Sequence, residues 1–339
     1  MRTSTRALNR GGPYLTAHLR LSVRWFNGWD PALDEALRLL PEHDCCPHEL
    51  YGLLVRNPGS ARKRTALVTE RGVPVAVAGL RQIGRSQWEP VTQWLVPGIV
   101  FPARPGYLMP ALRALRSDIS VAWWRMNDTP PVVRGMSNLE STPVHRWSFS
   151  EDFEGYWRKM KHFKTVQNKR NRCRDFAVAV NPPGSARWVI ENWSARWNDQ
   201  AVSTSDPSLA DRILLAEYLE GCGKHYTLVL LDGTKPIAGA TNTVHGSDLV
   251  AGVIYREPEY DRYGVGDRII DSVFSFAAEH GFAMLDIGGG HEYKKHWAPQ
   301  DGERWSFTIC PIERVVGKWL LRQQQPIYRK AKRILRRIL

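Results

Sequence analysis

Residues 236–255 read PIAGATNTVHGSDLVAGVIY, residues 256–281 read REPEYDRYGVGDRIIDSVFSFAAEHG, and residues 282–297 read FAMLDIGGGHEYKKHW. The first stretch predicts two strands joined by a turn at Gly246-Ser247. The second contains a glycine loop, then an apolar stripe of helical period. The third begins with a short apolar run typical of a strand buried on both faces. This order predicts an α/β fold with a mixed sheet and an anion site at the helix N-terminus, where backbone N–H groups are free.

The N-terminal half of the chain repeats this order at a period of about 160 residues. Residues 65–80 read TALVTERGVPVAVAGL and residues 226–241 read YTLVLLDGTKPIAGAT, each a strand, a glycine turn and a strand of small apolar residues. Each pair is followed by a further strand, a loop, a helix and an apolar strand. The pattern indicates an internal duplication, and a chance similarity of two α/β halves is the alternative.

The two copies differ in the loop that precedes the helix. In the N-terminal copy, residues 101–110 read FPARPGYLMP, and proline has no N–H to offer an anion. In the C-terminal copy, residues 260–267 read YDRYGVGD and keep their donors. We therefore place the chemistry in the C-terminal copy and expect the N-terminal copy to be structural or to shape the substrate site.

The chain divides into three predicted parts. An N-terminal copy over 1–150 precedes a C-terminal copy over 151–312, and a basic amphipathic helix occupies 313–339. Between the copies, residues 158–174 contain eight Lys and Arg and no acid, which indicates either a solvated helical face or an anion-binding surface. In the tail, residues 326–339 combine an apolar stripe with six basic residues, and the helix either binds an anionic membrane surface or packs on its own domain.

The formal net charge of +13 favours an anionic partner: phosphates, nucleic acid or lipid headgroups. No DNA-recognition motif is present, so a DNA partner is not expected. The Arg-rich N-terminus lacks the apolar segment of a secretory signal. We expect a cytoplasmic protein, or one that is peripheral on the inner face of the membrane.

The end of the opening stretch follows the pattern Asp-x-Gly-x-Gly, Tyr-Lys and an aromatic residue, at Asp286, Gly288, Gly290, Tyr293, Lys294 and Trp297. With the order of elements and the duplication, it resembles the double-GNAT branch of the GNAT acyl-CoA transferases. That branch includes cellulose-biosynthesis-type acetyltransferases and Fem-type peptidoglycan aminoacyl transferases. The resemblance covers residues 65–311, is strongest after residue 225, and implies a tandem pair of GNAT-like domains.

One departure from the family affects the cofactor. The usual pyrophosphate loop is Gln/Arg-x-x-Gly-x-Gly/Ala, whereas here Asp261 holds the basic position and Arg262 follows one residue late. A carboxylate at the helix start, Asp267, is an alternative to a bound phosphate. The resemblance still implies acetyl-CoA or another acyl-CoA, with aminoacyl-tRNA as the alternative donor and no metal. The implied cofactor-binding residues are Arg262, Tyr263, Gly264, Val265, Gly266 and Asp267.

The resemblance also implies direct transfer, in which a substrate amine attacks the acyl carbonyl without a covalent enzyme intermediate. Candidates for proton handling are Glu257, Asp286, His291 and Tyr293. Lys294 is a candidate clamp for a phosphate or carboxylate. Asp286 lies in a buried strand and needs a partner, so structural pairing and catalysis are both open for it.

The first functional hypothesis is an N-acyltransferase that acts on an amine of a cell-envelope glycan, a lipid-linked sugar or a related metabolite. The alternatives are an aminoacyl-tRNA-dependent Fem-type peptidyl transferase and a catalytically inactive membrane-surface scaffold of envelope or exopolysaccharide synthesis. If the protein is an aminoacyl-tRNA-dependent transferase, the basic segment 158–174 is the expected tRNA contact.

Overall fold

The structure is a computed structural model. It describes residues 21–43, 46–59, 61–83, 87–92, 101–116, 120–126, 136–149, 158, 163–200, 209–289 and 292–309. His291 and the basic tail 326–339 therefore lie outside the described residues, as does most of the segment that precedes residue 163.

Strands and helices follow one another in two series of the same kind. The strands are β1 (Leu21–Asn27), β2 (Lys63–Glu70), β3 (Val73–Gln82), β4 (Gln87–Pro90), β5 (Ser120–Met126), β6 (Met136–Ser148), β7 (Ala177–Val180), β8 (His225–Asp232), β9 (Lys235–His245), β10 (Asp248–Arg256), β11 (Met284–Gly289) and β12 (Gln300–Ile309). The α-helices are α1 (Ala32–Arg38), α2 (His48–Arg56), α3 (Leu108–Leu115), α4 (Phe163–Arg172), α5 (Ser185–Gln200), α6 (Leu209–Gly221) and α7 (Val265–Glu279). Two 3₁₀ turns cover Pro258–Tyr263 and Glu292–His296.

The duplication predicted from the sequence is confirmed in the order of elements. In the first copy, a strand, two helices, three strands, a helix and two strands run from β1 to β6. The same order runs from β7 to β12, through α5, α6 and α7. In each copy the strand before the helix pairs in parallel with the strand after it, β4 with β5 and β10 with β11. The mixed α/β fold class is therefore confirmed.

The described strands form one sheet in which the two copies exchange their last strands. Its order is β1-β2-β3-β4-β5-β12-β6-β11-β10-β9-β8-β7. Strand β6 pairs with β11, and β12 lies between β5 and β6. The boundaries at residues 150 and 312 remain predictions, but the hydrogen-bonded sheet runs through both copies without a break in the described part of the chain.

The C-terminal copy packs a helix on each face of its strands. Helix α7 buries Ile269, Val273 and Phe274 in a core with Leu228 and Leu285. On the other face α5 approaches closely, because a Cβ added to Gly239 would lie 2.4 Å from the side chain of Val189. The apolar stripe that the sequence assigns to α7 is thus confirmed as the inward face of that helix.

The glycine turn predicted within residues 65–80 is confirmed at Arg71-Gly72, between β2 and β3. The first-copy helix α3 begins at Leu108, so Pro110 lies inside it. Pro110 is accommodated there because it lies in the first turn, where a helix needs no backbone N–H.

A buried group of charges joins α6 to the N-terminal copy. The Asp211 carboxylate on α6 accepts hydrogen bonds from Lys63 Nζ at 2.6 Å, Asn57 Nδ2 at 2.9 Å and Arg81 Nη1 at 3.2 Å. Arg81 also donates from Nε to Glu89 at 2.7 Å. Arg81 and Asp211 are both almost fully buried, so their charges need the compensation that this group of ion pairs provides.

Replacing Asp211 with Ala should lower the free energy of unfolding by about 3–5 kcal/mol, because it removes the carboxylate that pairs with the buried Lys63 and leaves Arg81 with Glu89 alone. The matched control is Glu217→Ala on the same helix, which breaks an exposed pair with Arg187 and should cost no more than about 1 kcal/mol. Urea denaturation of both variants measures the difference. Equal losses in the two variants would contradict a buried charge network between the copies.

Candidate functional site

The parallel pair β10–β11 is short and then opens. Its register covers only Asp248 with Met284, Leu249 with Leu285 and Val250 with Asp286. Beyond this point β11 follows β6, with a register shift between Asp286 and Gly288. Strand β10 continues along β9 as far as Arg256. The two strands therefore part at their C-terminal ends and leave a cleft between them.

A β-bulge bends β10 beside this cleft. The register against β9 shifts between Ala251 and Ile254. Within the bulge the Val253 N–H donates to Thr241 Oγ1 at 3.0 Å. Gly252 is required here, since a Cβ would lie 2.6 Å from the same hydroxyl oxygen. Bulges of this kind redirect a strand next to a binding site.

The N-terminus of α7 lies at the end of β10, after the 3₁₀ turn Pro258–Tyr263. Gly264 has a φ of +79° and turns the chain into the helix. The N–H groups of Asp267 and Arg268 both donate to the Gly264 carbonyl at 3.1 Å. The N–H groups of Val265 and Gly266 make no hydrogen bond to any described residue. Two backbone donors at this helix start are thus available to an anion.

Two cations from outside the glycine loop lie against it. The Lys169 side chain of α4 crosses Gly264, where its carbon atoms would be 2.8 Å from an added Cβ. Its ammonium forms an ion pair with Asp267. Arg256, the last residue of β10, packs in the same way on Gly266 at 3.1 Å and donates from Nη2 to Asp261 at 3.2 Å.

Each glycine of the loop therefore makes room for a cationic side chain. Both cations are paired with an acid of the loop, and the carboxylate of Asp267 does not accept a backbone hydrogen bond from a described residue. Arg262, by contrast, lies on the neighbouring ring: its guanidinium is 4.8 Å from the centroid of Tyr263, and Nη2 donates to the Tyr263 hydroxyl at 2.9 Å.

Asp286 is held by three donors where β11 leaves β10. Its Oδ2 accepts from Arg304 Nη2 at 2.6 Å and from Arg146 Nε at 3.0 Å, and its Oδ1 accepts from the Gly288 N–H at 2.7 Å. Arg304 lies on β12 and Arg146 on β6. Burial lowers the pKa of Arg304, and the charge of Asp286 opposes that shift. The partner that the sequence analysis requires for Asp286 is thus present.

Tyr293 and Lys294 follow the end of β11 on the 3₁₀ turn Glu292–His296. Partial burial raises the pKa of Tyr293, the nearby charge of Asp267 raises it further, and Arg256 opposes the shift. Tyr293 is therefore close to the N-terminus of α7. Lys294 donates from Nζ to the Gly289 carbonyl at 3.1 Å, so it supports the glycine turn. Trp297 is a core residue that stacks on Phe274.

Glu257 follows β10 directly and begins the 3₁₀ turn. Its N–H donates to the Ile237 carbonyl at 2.9 Å, which keeps this segment on β9. Burial raises the pKa of Tyr255, and the neighbouring carboxylate of Glu257 raises it further. Glu257 thus lies at the end of β10, Tyr293 near the start of α7 and Asp286 where β11 leaves β10, and His291 is outside the described residues.

The sequence analysis missed the individual roles of Lys169 and Arg256. In the sequence Lys169 is one of several cations of the basic segment, and Arg256 is a cation at a strand end. Only the fold shows that they contact Gly264 and Gly266. The same helix docks on α7 through Arg170, whose Nε and Nη2 donate to the buried carboxylate of Asp271 at 2.7 and 2.6 Å. Part of the charge of the basic segment is thus used inside the protein.

The strand face opposite α7 is polar as well as buried. His225 and Thr227 of β8 lie there beside Thr243 and Thr241 of β9. His225 Nδ1 and Thr243 Oγ1 are 3.2 Å apart, within hydrogen-bonding distance. Burial lowers the pKa of His225 from 6.5 to about 4, so the ring is neutral in the folded protein at neutral pH.

Residues 159–296 match the family model of the acetyltransferase (GNAT) domain. The match falls on the segment that carries the open strand pair, the glycine loop and α4. Residues 159–296 are therefore similar to a GNAT acetyltransferase domain, and they make up about two fifths of the chain. No curated protein matches the sequence.

Solved structures share the fold across most of the chain. One is the C-terminal (DUF2156) domain of a proposed lysylphosphatidylglycerol synthetase from Agrobacterium fabrum, with a TM-score of 0.50 and 14% identity over 85% of this chain and 93% of that one. Another is L-PGS from Bacillus licheniformis, with a TM-score of 0.51 and 11% identity over 84% of this chain and 93% of that one. At these identities the likeness concerns the fold alone.

None of the helices in the described residues is long and apolar enough to cross a membrane. In the same part of the chain, no group of three or more His, Cys, Asp or Glu side chains is arranged to hold a metal ion.

The low pKa of His225 predicts a pH dependence of folding. In the unfolded chain His225 binds a proton below about pH 6.5, whereas in the folded protein it does so only below about pH 4. The free energy of unfolding therefore falls as the pH drops from 6.5 towards 4. His225→Asn should make the loss between pH 6.5 and 5 shallower by about 1–2 kcal/mol. Urea denaturation at both pH values tests this, with His280→Asn on the surface as control. An unchanged slope in His225→Asn would contradict the assignment.

Proposed function

We propose that this protein transfers an acyl group, with acetyl-CoA as the simplest donor, to an amine of a cell-envelope glycan, a lipid-linked sugar or a related metabolite. The observation that carries the proposal is the cleft between β10 and β11 next to the free Val265 and Gly266 amides. A narrow cleft of this kind suits the linear arm of an acyl-CoA, and an adjacent helix N-terminus suits its diphosphate. We place the reaction on the cytoplasmic side, where acyl-CoA is available.

The residues around the loop fit a diphosphate. The proposed contacts are the backbone amides of Val265 and Gly266 and the side chains of Lys169 and Arg256. These two cations would replace the basic residue of the usual loop, whose position Asp261 occupies here. Both cations are held by carboxylates, and a diphosphate offers them a second acceptor at the same place. Arg262, Tyr263 and Asp267 complete the proposed cofactor site as the loop residues that position these groups.

Direct transfer requires three tasks from the protein. An amine proton must be accepted, the oxyanion of the attacked carbonyl must be stabilised, and the leaving thiolate must be protonated as the carbon–sulfur bond breaks. We assign proton acceptance to Glu257, at the mouth of the cleft. We assign thiolate protonation to Tyr293, because a tyrosine hydroxyl is protonated at neutral pH and this one lies near the start of α7. His291 stays a further candidate.

Asp286 and Lys294 are better suited to positioning than to proton transfer. Both oxygens of the Asp286 carboxylate are engaged by Arg146, Arg304 and the Gly288 N–H. Lys294 binds the carbonyl of Gly289. We propose that the two side chains fix the glycine turn that follows β11, and thereby the far wall of the cleft.

Lys169→Ala should weaken the binding of coenzyme A roughly ten-fold, since one charge-assisted contact is lost and Asp267 is left unpaired beside the diphosphate. Arg256→Ala should have a similar effect. Lys164→Ala, on an exposed position of the same helix, is the matched control and should bind as the unchanged protein does. Isothermal titration with coenzyme A measures all three.

Unchanged or tighter binding of coenzyme A by Lys169→Ala would show that Lys169 blocks the phosphate position. If Lys169→Ala binds coenzyme A as tightly as the unchanged protein or more tightly, the pair with Asp267 occupies the phosphate position and the assignment of Lys169 as a ligand is wrong.

The second candidate function is transfer from an aminoacyl-tRNA. It is favoured by α4, where Lys164 and Arg172 are exposed although Lys169 and Arg170 are paired with α7. These outward charges suit a phosphate backbone. The two functions differ in donor, not in the attack of an amine on a carbonyl carbon.

Salt dependence separates the two donors. A tRNA ligand should lose affinity steeply as salt rises from 50 to 200 mM, and Lys164→Ala with Arg172→Ala should reduce that slope by about one counterion each. Filter binding with bulk tRNA provides the measurement. Binding of coenzyme A without salt-sensitive tRNA binding would exclude the second candidate, whereas the reverse result would replace the first.

A further inference from the structure

Three aromatic side chains form a cluster beside the glycine loop. The ring of Phe176, which precedes β7, lies edge-on to the rings of Tyr260 and Tyr263, at centroid distances of 5.8 and 5.5 Å. The two tyrosine rings are 6.1 Å apart. All three side chains pack at the margin of the core of the C-terminal copy, and all three are partly exposed. The cluster therefore presents aromatic surface to solvent next to Gly264.

The aromatic cluster extends from the loop in the direction away from the cleft. The Tyr260 hydroxyl donates to Oδ2 of Asp232, the last residue of β8, at 2.8 Å. Strand β9 separates β8 from β10, whereas the cleft opens on the β11 side of β10. Tyr263 is two residues from Val265, so the cluster begins within about 7 Å of the proposed phosphate position. A ligand held there by its phosphates can extend into the cleft at one end and onto the aromatic cluster at the other.

Arg262 is held on this cluster by two contacts. Its guanidinium lies 4.8 Å from the centroid of the Tyr263 ring, and its Nη2 donates to the Tyr263 hydroxyl at 2.9 Å. The arginine itself is exposed. A planar guanidinium that is already fixed loses little conformational entropy when a flat ring stacks on it. This arginine, which follows one residue later than the basic residue of the usual loop, thus belongs to the aromatic cluster.

The charges around the cluster favour a neutral ring over a further phosphate. Lys235 lies 5.3 Å from the centroid of the Tyr260 ring and pairs with Glu259 at 2.6 Å. Together with Arg262 and Asp232, this pair gives two positive and two negative charges. A nucleobase is flat and neutral, and aromatic rings and arginine side chains are the groups on which proteins stack nucleobases.

We propose that Arg262 and Tyr263 bind the adenine base of the donor by stacking, at the end of the diphosphate opposite to the acyl arm. The inference rests on the proposed acyl transfer for the identity of the donor. It also separates the two candidate donors. In an acyl-CoA the adenosine lies beyond the diphosphate, whereas in an aminoacyl-tRNA the terminal adenosine carries the acyl group itself and would have to enter the cleft.

The test isolates the base by comparing adenosine monophosphate with ribose 5-phosphate, which differ only in the adenine that replaces the anomeric hydroxyl. In isothermal titration of the full chain, adenosine monophosphate should bind roughly ten-fold tighter. The difference should disappear in Tyr263→Leu and return in Tyr263→Phe, because phenylalanine keeps the ring. Tyr218→Leu, which replaces a partly buried tyrosine of α6, is the matched control and should keep the full difference.

Arg262→Lys distinguishes stacking from a charge contact. Lysine keeps the positive charge but has no flat group, so the preference for adenosine monophosphate should fall while the affinity for ribose 5-phosphate stays the same. A lysine variant with the full preference would contradict stacking on Arg262. Equal binding of the two ligands by the unchanged protein would overturn the proposal, and so would a preference that survives in Tyr263→Leu.

Failure of this inference is distinguishable from failure of the proposed function. A separate titration with coenzyme A reports on the donor as a whole. Binding of coenzyme A without a preference for adenosine monophosphate would overturn only the base site. A preference that depends on Tyr263, without any binding of coenzyme A, would instead reject the acyl-CoA donor and leave a purine site in place.

Discussion

The Asp286 carboxylate fixes the geometry on which the candidate site depends. It binds Arg146 of β6, Arg304 of β12 and the Gly288 N–H of its own strand. One buried acid thus ties three strands together at the residue where β11 separates from β10. Because β6 and β12 belong to different copies, the exchange of strands between the copies supplies both guanidinium groups. Either copy alone contains only one of these two strands and so only one of the two guanidinium groups.

The opening of the sheet follows from this arrangement. Strand β11 is drawn towards β6, whereas β10 is held on β9 by its bulge at Gly252 and by the Val253–Thr241 hydrogen bond. The cleft is therefore built from strand pairing and does not require a loop to move. Its upper end meets the start of α7, where we propose that the diphosphate of the donor binds.

Much of the fold could be predicted from the sequence because it depends on local pattern. The apolar stripe of α7, the turn at Gly246-Ser247 and the duplicated order of strands and helices are all confirmed by the structure. The exchange of β6 and β12 could not be predicted, since both are ordinary strands whose partners are set by long-range pairing. The same applies to the site: Gly264 and Gly266 were identified from their spacing, whereas Lys169 reaches Gly264 from a helix almost a hundred positions earlier in the chain.

The central claim is that the start of α7 binds a diphosphate. The most direct measurement compares the dissociation constants of acetyl-CoA and S-acetylpantetheine, which keeps the thioester arm and lacks the phosphates. Two backbone amides and two cations at charge-assisted contacts predict that acetyl-CoA binds tighter by at least roughly a hundred-fold. Equal affinities, or no binding of acetyl-CoA, would contradict the account and leave the two glycines with a purely structural role.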